Sequence, residues 1–286
     1  MNVPSKHTEI VATIMLIGEL EKEDGSFRPT YEYAAPFIES ALLTGCHPVL
    51  IHDGCIDDER ILHHPGMTVI SVDPSKRTSP NPFMERYFLY LELLKQNEHL
   101  STIFFSDVRD VFFYHNPHRF FKHAIEHDKI IVQEEWSPFT ENKEYMKRLN
   151  VANRRPDILD LNIAIYRKEN AWPLCAGFFG GRRNKMIELL NEICRRFIPA
   201  CDCQEFDMAI FNYVLYEILT PEKLAIFKCG IKADQLTDEF YRYERKHYTM
   251  VLVSNNNEYV TPLMHHYETV VGLLENLRKK LTLQHN

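Results

Sequence analysis

Short apolar runs alternate with amphipathic segments through roughly the first 110 residues of the chain. The runs that have the length of a buried strand lie at residues 9–17, 47–54, 67–73 and 101–107. Apolar residues recur with helical spacing over residues 30–45 and 79–96. The first of these predicted helices ends at Gly45, and the second has Asn81 as a candidate N-cap with Pro82 directly after it. This order predicts an α/β fold with a mostly parallel central sheet flanked by helices.

The second half of the sequence alternates less regularly and contains no internal repeat or low-complexity tract. The apolar run at 129–136 predicts a strand, and residues 186–197 and 205–219 predict amphipathic helices. A last helix is expected from Tyr267 onward.

Composition and charge narrow the possible partners and compartments. The 286 residues carry a formal net charge of −7, which argues against nucleic acid as the main partner because a phosphate backbone requires a basic face. No stretch reaches the length of a membrane span, and the N-terminus lacks the pattern of a signal peptide. Seven irregularly spaced cysteines are typical of reduced thiols. We therefore expect a globular, cytoplasmic protein without a membrane span.

The segment "STIFFSDVRDVFF" places Asp107, Arg109 and Asp110 within one of the most apolar stretches of the chain. Charges in a core are costly unless they are paired or bind a metal. Because ligands of open α/β sheets bind beyond the carboxyl ends of the strands, Asp107 is predicted to lie at a ligand crevice. Two carboxylates in one turn can converge on a divalent cation, and the alternative that Arg109 pairs with one of them is equally open.

After Asp110 the sequence continues V-F-F and then H-N-P, and this strand, acidic turn and continuation resemble the GT-A-fold glycosyltransferases that use nucleotide sugars. Four further segments resemble motifs of that family and follow its order along nearly the whole chain. They are the helix with Arg86, "PLCAGFFGGRRNKMIELL" (similar to an N-A-G-x-x-G turn and its helix), "EFDMAIFNYVL" with Asp207 and Asn212 (similar to a D-Q-x-x-x-N helix), and the late "PLMHHYE" with its two histidines. The acidic motif departs from the family as D-V-R-D instead of D-x-D, and Cys175 stands where the family often has Asn.

The resemblance implies a single GT-A-like domain over residues 1–286, with a nucleotide-binding half up to about residue 110 and an acceptor-binding half after it. It implies transfer of a sugar from a nucleotide-diphosphate donor, most commonly a UDP-sugar, to a hydroxyl of a glycan or other acceptor. Mn²⁺ or Mg²⁺ would assist, held by Asp107, Asp110 and either His265 or His266. Asp207 would orient the sugar or activate the acceptor. The residues implied at the donor are Thr13, Asp53, Arg86, Asp107, Arg109, Gly177 and Gly180.

Other classes of protein share parts of this pattern. A sugar nucleotidyltransferase would have a basic, glycine-rich loop after the first strand, whereas "LIGELEKEDG" is acidic. A phosphatase of the haloacid-dehalogenase type requires D-x-D-x-[TV], and "DVRDV" lacks the second acid at that spacing. A non-catalytic module that binds a sugar or a partner on a degenerate transferase fold is the remaining alternative.

Overall fold

The computed structural model describes residues 8–14, 29–108, 111–113, 116–134, 173–196, 206–219, 221–227, 252–253, 259–260 and 263–265. Its strands are β1 (Thr8–Ile14), β2 (Cys46–His52), β3 (Thr68–Ser71), β4 (Thr102–Ser106), β5 (Val111–Phe113), β6 (Ile130–Glu134), β7 (Leu174–Arg182), β8 (Leu224–Phe227), β9 (Leu252–Val253), β10 (Tyr259–Val260) and β11 (Leu263–His265). Its α-helices are α1 (Tyr31–Leu43), α2 (Glu59–Leu62), α3 (Pro82–Gln96), α4 (Pro117–Phe120), α5 (Lys122–Glu126), α6 (Arg183–Arg195) and α7 (Phe206–Tyr213). The predicted α/β class is confirmed, and the helix expected from Tyr267 lies outside the described residues.

Contacts divide the chain into two compact units, each discontinuous in sequence. We call one the Asp107 unit, built from Lys6–Val72, Ser106–Phe120 and Lys228–Asn286, and the other the Arg86 unit, built mainly from Asp73–Phe105 and Phe121–Phe227. Both units draw on residues before and after position 110, where the sequence analysis divided the chain. The single-domain organisation inferred from the sequence stays a prediction.

The Asp107 unit contains three parallel strands in the order β3-β2-β1. Thr13 pairs with Ile51 in this register, so the carboxyl ends of β1 and β2 lie side by side. Helix α1 packs on β2 and β5 through an apolar face that includes Phe37. The Ser40 hydroxyl on the same helix accepts a hydrogen bond from the Phe113 backbone N–H at 3.0 Å. These contacts hold the end of β5 against the helix.

The Arg86 unit contains a mixed sheet in the order β4-β7-β6-β8, because β7 runs antiparallel to β6 whereas β8 runs parallel to it. The expectation of mostly parallel strands therefore holds for the regular first half of the sequence but not for the β6–β7 pair. Helix–strand alternation was the signal for parallel pairing, and the second half of the sequence lacks regular alternation. No helix in the described part of the chain has the length and apolar character needed to cross a bilayer.

Phenylalanine doublets in β4 and β7 build the core of the Arg86 unit on both faces of the sheet. Successive residues of a strand point to opposite faces. Phe105 and Phe179 meet with ring centroids 5.0 Å apart, and Phe104 and Phe178 meet at 5.6 Å. The first pair contacts rings of Tyr90 and Phe211, and the second contacts Phe121 and Phe227. Both faces are therefore apolar layers covered by helices or neighbouring strands.

Gly177 and Gly180 lie in strand β7, which corrects the turn that the resemblance implied for this segment. The nine residues from Leu174 to Arg182 form a strand because the apolar residues between the glycines are buried against β4 and β6. A Cβ on Gly180 would lie 2.3 Å from a Phe104 ring carbon and 2.7 Å from the Ile103 carbonyl oxygen. Close approach of two strands thus explains this glycine, and its contact with a donor stays a prediction.

Replacing Gly180 by Ala is expected to destabilise the protein by about 3 kcal/mol, because the added methyl group overlaps both a ring and a backbone oxygen. Gly54→Ala is the matched control: its Cβ meets nothing within 4 Å, and only the positive φ of 87° opposes it. The control should cost about 1 kcal/mol. Urea unfolding of the two variants measures the difference, and equal losses would contradict the close packing at Gly180.

Candidate functional site

A buried ion pair joins helix α3 to helix α7 within the Arg86 unit. The Arg86 guanidinium donates a hydrogen bond from Nη2 to Asp207 Oδ2 at 2.7 Å, although the two residues are 121 positions apart in sequence. Their side chains are 8% and 5% exposed. The guanidinium favours the ionised form of the carboxylate beside it. These two residues, chosen separately from two sequence motifs, are therefore direct partners.

Local sequence places Arg86 at the first turns of α3. Asn81 caps the helix, since its Oδ1 accepts a hydrogen bond from the Phe83 N–H at 2.9 Å, and Pro82 occupies the first helical position. The Arg86 guanidinium carbon lies 5.1 Å from the centroid of the Tyr87 ring, a distance typical of a cation–π contact. Burial raises the pKa of the Tyr87 hydroxyl, so this group stays neutral beside the ion pair. The cap and the ring together orient the guanidinium.

Glu85, the neighbour of Arg86, holds the segment that leads into α3. One of its carboxylate oxygens accepts hydrogen bonds from the backbone N–H groups of Thr78 at 3.0 Å and Ser79 at 2.7 Å. The side chain is buried, and this desolvation raises the pKa of the Glu85 carboxyl above its ordinary value of 4.5. The Glu85 carboxyl group therefore anchors the start of α3, and it keeps its proton to a higher pH than a glutamate in water does.

This raised pKa predicts a pH dependence of stability with a defined sign. The native state binds the Glu85 proton more tightly than the unfolded state, so the wild-type protein loses stability as the pH rises from 4.5 through the raised pKa. Glu85→Gln keeps an oxygen for both N–H groups but carries no charge, so its stability relative to wild type should increase over that pH range. Urea unfolding at about pH 4.5 and about pH 7.5 measures this change. Glu98→Gln, at an exposed position, is the control, and a difference that does not vary with pH would contradict the prediction.

Asp207 lies in the first turn of α7, and the helix is held against β7 by Asn212. The fully buried Asn212 accepts a hydrogen bond from the Leu174 N–H at 2.6 Å and donates to the Leu174 carbonyl at 3.0 Å. It also donates to the Met208 carbonyl within α7 at 2.9 Å. A π-helix follows from Val214 to Ile218, a geometry that occurs frequently at functional sites. Asn212 therefore links the helix that carries Asp207 to the start of β7.

The pairing of β7 with β6 is interrupted next to this link. Val132 of β6 pairs with Phe179, but the next residue, Gln133, pairs with Cys175, so residues 176–178 of β7 have no counterpart on β6. Within the interruption, the Gly177 N–H donates a hydrogen bond to Cys175 Sγ at 3.3 Å. Irregular pairing of this kind is common beside active sites, where it redirects backbone and side chains. Gly177 thus lies in a local distortion of the strand, and its role at a donor stays a prediction.

In the Asp107 unit, the predicted donor residues follow strand ends. Asp53 comes directly after β2 and is buried, and Asp107 comes directly after β4 and is half-buried. His52 precedes Asp53, and burial lowers the pKa of its imidazole. Its Nδ1 accepts a hydrogen bond from the Gly54 N–H at 3.2 Å. A carboxylate after a parallel strand end is in the position where ligands of α/β sheets bind.

The backbone of the Asp107 unit also pairs the late histidine segment with the strand that follows the acidic motif in sequence. Strand β11 pairs antiparallel with β5, and His265 lies opposite Val111, the residue that follows Asp110 in the sequence. Arg109, Asp110 and His266 themselves lie outside the described residues. Within the described part of the chain, no three metal-ligating side chains form a cluster. The β5–β11 register is therefore the observation that bears on a metal site, and carboxylate and imidazole donors together suit Mn²⁺.

Sequence reasoning missed Tyr87, Glu85 and Gln133, and it did not assign a role to Asn212. Nothing in the sequence singled out Tyr87 or Glu85, because an ordinary amphipathic helix contains aromatic and acidic residues whether or not it lies at a functional site. Gln133 was visible in the sequence only as an amide within the apolar run of β6. In comparisons with known proteins, no family model matches the chain and no curated protein matches it.

Proposed function

We propose that the chain is a glycosyltransferase that moves a sugar from a nucleotide-diphosphate donor, with a UDP-sugar as the first candidate, to a hydroxyl of a glycan or other acceptor. The proposal combines the order of the motifs in the sequence with the α/β architecture of the described residues. The observation that carries it is the 2.7 Å ion pair between Arg86 and Asp207. Two residues that the resemblance assigns to one donor site contact each other in a buried setting.

The residues of this pair have complementary tasks in the proposed reaction. A guanidinium has five N–H donors, so one group can hold a carboxylate and a phosphate or sugar oxygen together. An ionised carboxylate accepts hydrogen bonds from sugar hydroxyls, and its own partner fixes its position. Because orientation of the reacting groups accounts for a large part of catalysis, we assign Asp207 to orienting the donor sugar. Tyr87 and Asn212 hold the two charged residues in place.

A divalent cation fits the residue types that the sequence places around β5. Asp107, Asp110 and either His265 or His266 would hold Mn²⁺ or Mg²⁺, and the pairing of His265 with Val111 supports this donor set. When bound, the ion supplies Lewis-acid stabilisation of the departing diphosphate. Asp53 and Thr13, at the ends of β2 and β1, are proposed to contact the nucleotide. Cytoplasmic location is part of the same proposal.

Release of nucleoside diphosphate tests the proposal directly. The wild-type protein is incubated with UDP-glucose, UDP-galactose, UDP-xylose and GDP-mannose, each with Mn²⁺, with Mg²⁺ or with EDTA. Metal-dependent cleavage of at least one donor is expected, because water can take the place of the acceptor hydroxyl when no acceptor is present. Saturable binding without cleavage, in the presence of a broad panel of acceptors, would favour the non-catalytic binding module. Absence of both binding and cleavage would contradict the proposed function.

A further inference from the structure

The last two residues of strand β6 place an amide and a carboxylate on opposite faces of the sheet. Gln133 pairs in parallel register with Phe227, so these two side chains lie on the same face. Successive residues of a strand alternate between faces, and Glu134, the last residue of β6, therefore lies on the other one. On that other face Val132 pairs with Phe179. Glu134 and Phe179 thus belong to one face of the sheet.

This face is the one on which helices α3 and α7 pack. The ring centroid of Phe179 lies 5.1 Å from that of Phe211 in α7 and 6.3 Å from that of Tyr87 in α3. Asp207 precedes Phe211 by one turn of α7. Arg86 directly precedes Tyr87 in α3. The buried ion pair is therefore on the same face of the sheet as the carboxylate at the end of β6.

The end of β6 also lies beside the strand residue to which α7 is hydrogen-bonded. Glu134 pairs with Leu174, the first residue of β7. Asn212 of α7 accepts a hydrogen bond from the Leu174 N–H at 2.6 Å and donates one to the Leu174 carbonyl at 3.0 Å. Asp207 lies in the first turn of the same helix. Leu174 therefore connects the backbone position of Glu134 with the helix that carries Asp207, all within the Arg86 unit.

Glu134 is 9% exposed, although it is acidic and ends a strand. Glutamate is among the residue types that are almost never buried without a compensating interaction, because removing a carboxylate from water costs free energy. Ligands of α/β sheets bind beyond the carboxyl ends of the strands, which is where this residue lies. A buried acid in this position, on the face of the ion pair, is placed to contact a bound ligand.

The ion pair makes Asp207 better suited to orienting a sugar than to accepting a proton. The Arg86 guanidinium, 2.7 Å from Asp207 Oδ2, stabilises the ionised form of that carboxylate and so weakens its affinity for a proton. Transfer of a sugar to a hydroxyl nevertheless requires a base within hydrogen-bond reach of the hydroxyl proton. A second carboxylate on the same face of the sheet can meet this requirement, and Glu134 supplies one.

Resting on the proposed function, we infer that Glu134 is the base that takes the proton of the acceptor hydroxyl during sugar transfer. The acceptor oxygen forms a bond to the anomeric carbon of the donor sugar. The bond from that carbon to the diphosphate oxygen breaks, and its electron pair leaves with the diphosphate. The hydroxyl proton passes to a carboxylate oxygen of Glu134. A single displacement of this kind inverts the configuration at the anomeric carbon.

The first measurement is cleavage of the UDP-sugar that wild type cleaves fastest, with water as the acceptor. Glu134→Gln keeps the size of the side chain but removes the base, so kcat should fall about 100-fold or more while the affinity for UDP is unchanged. Glu126→Gln, which removes an exposed carboxylate of α5 in the same unit, is the control and should cleave as fast as wild type. Cleavage by Glu134→Gln at the wild-type rate overturns the inference while the proposed function stands. If Glu134→Gln does not fold, Glu134→Asp is measured instead, and a wild-type rate for that variant overturns the inference equally.

The second measurement is rescue of the variant by sodium azide. Azide is an anion that attacks the anomeric carbon without losing a proton, so it needs no base. It should accelerate cleavage by Glu134→Gln more than cleavage by wild type, and the product should be a glycosyl azide of inverted configuration. Failure of azide to accelerate the variant, or a product of retained configuration, overturns the assignment of Glu134 as the base. A wild-type protein that cleaves no donor overturns the proposed function itself, and the inference that rests on it is then wrong as well.

Discussion

Asp207→Asn is expected to lower sugar transfer by about 100-fold or more and to destabilise the protein by about 3 kcal/mol. The stability loss arises because the buried Arg86 guanidinium, 2.7 Å from Asp207 Oδ2, loses the negative charge of that carboxylate. The loss of transfer arises because a neutral amide offers a weaker and differently oriented acceptor to the sugar. Urea unfolding and a steady-state transfer assay measure the two effects separately.

A double replacement distinguishes a catalytic pair from a structural one. Arg86→Met and Asp207→Leu together remove both charges and retain side-chain volume, and buried ion pairs replaced in this way are often neutral for stability. We expect the double variant to recover stability to within about 1 kcal/mol of wild type but to remain inactive. If activity returned together with stability, the pair would serve only the fold. Arg195→Met, in the exposed pair with Glu192, is the control and should change stability by less than about 0.5 kcal/mol.

Asp107→Asn and Asp110→Asn are each expected to reduce metal-dependent donor cleavage by at least about 100-fold, with little change in melting temperature. Cleavage should fall because each carboxylate supplies a charged oxygen to the proposed cation. The melting temperature should change little for Asp107→Asn because Asp107 is half-buried and follows the end of β4, outside the apolar core. Cleavage at increasing Mn²⁺ concentration and a thermal melt of each variant provide the measurement. Asp57→Asn, at an exposed position of the same unit, is the matched control.

One result would contradict the proposed metal site. A protein with both aspartates replaced that still binds donor with unchanged dependence on Mn²⁺ would exclude the metal role of these carboxylates. Arg109, between them in the sequence, would then become the candidate ligand of the diphosphate. This result would not bear on the Arg86–Asp207 pair, whose role is tested separately by the double replacement described above.

Two candidate regions thus emerge, one in each compact unit. The Arg86 unit holds the ion pair and the irregular pairing of β6 with β7, and the Asp107 unit holds the strand-end aspartates and the β5–β11 pair. The first region is defined by side-chain contacts and the second by backbone register and chain order. Experiments on Asp207 therefore test a side-chain contact that the structure describes, whereas experiments on Asp107 and Asp110 test the acidic motif of the sequence.

Sequence alone determined the elements whose causes are local. The strands β2, β3 and β4 and the helices α1 and α3 appear within a few residues of their predicted bounds, since apolar spacing and β-branched content act over short distances. The start of α3 was predicted from Asn81 and Pro82 because a cap requires only a side chain and the next two peptide groups. Asp107 was likewise placed after a strand by the end of an apolar run.

Only the tertiary structure decided which distant groups meet. The sequence marked Arg86 and Asp207 as candidates, but their ion pair depends on how α3 and α7 pack across 121 residues. The antiparallel direction of β7, its interruption at 176–178 and the packing of Gly180 against Phe104 depend on neighbouring strands rather than on local spacing. The sequence shows an amide at position 133 within an apolar run, but whether its oxygen is hydrogen-bonded depends on everything packed around it.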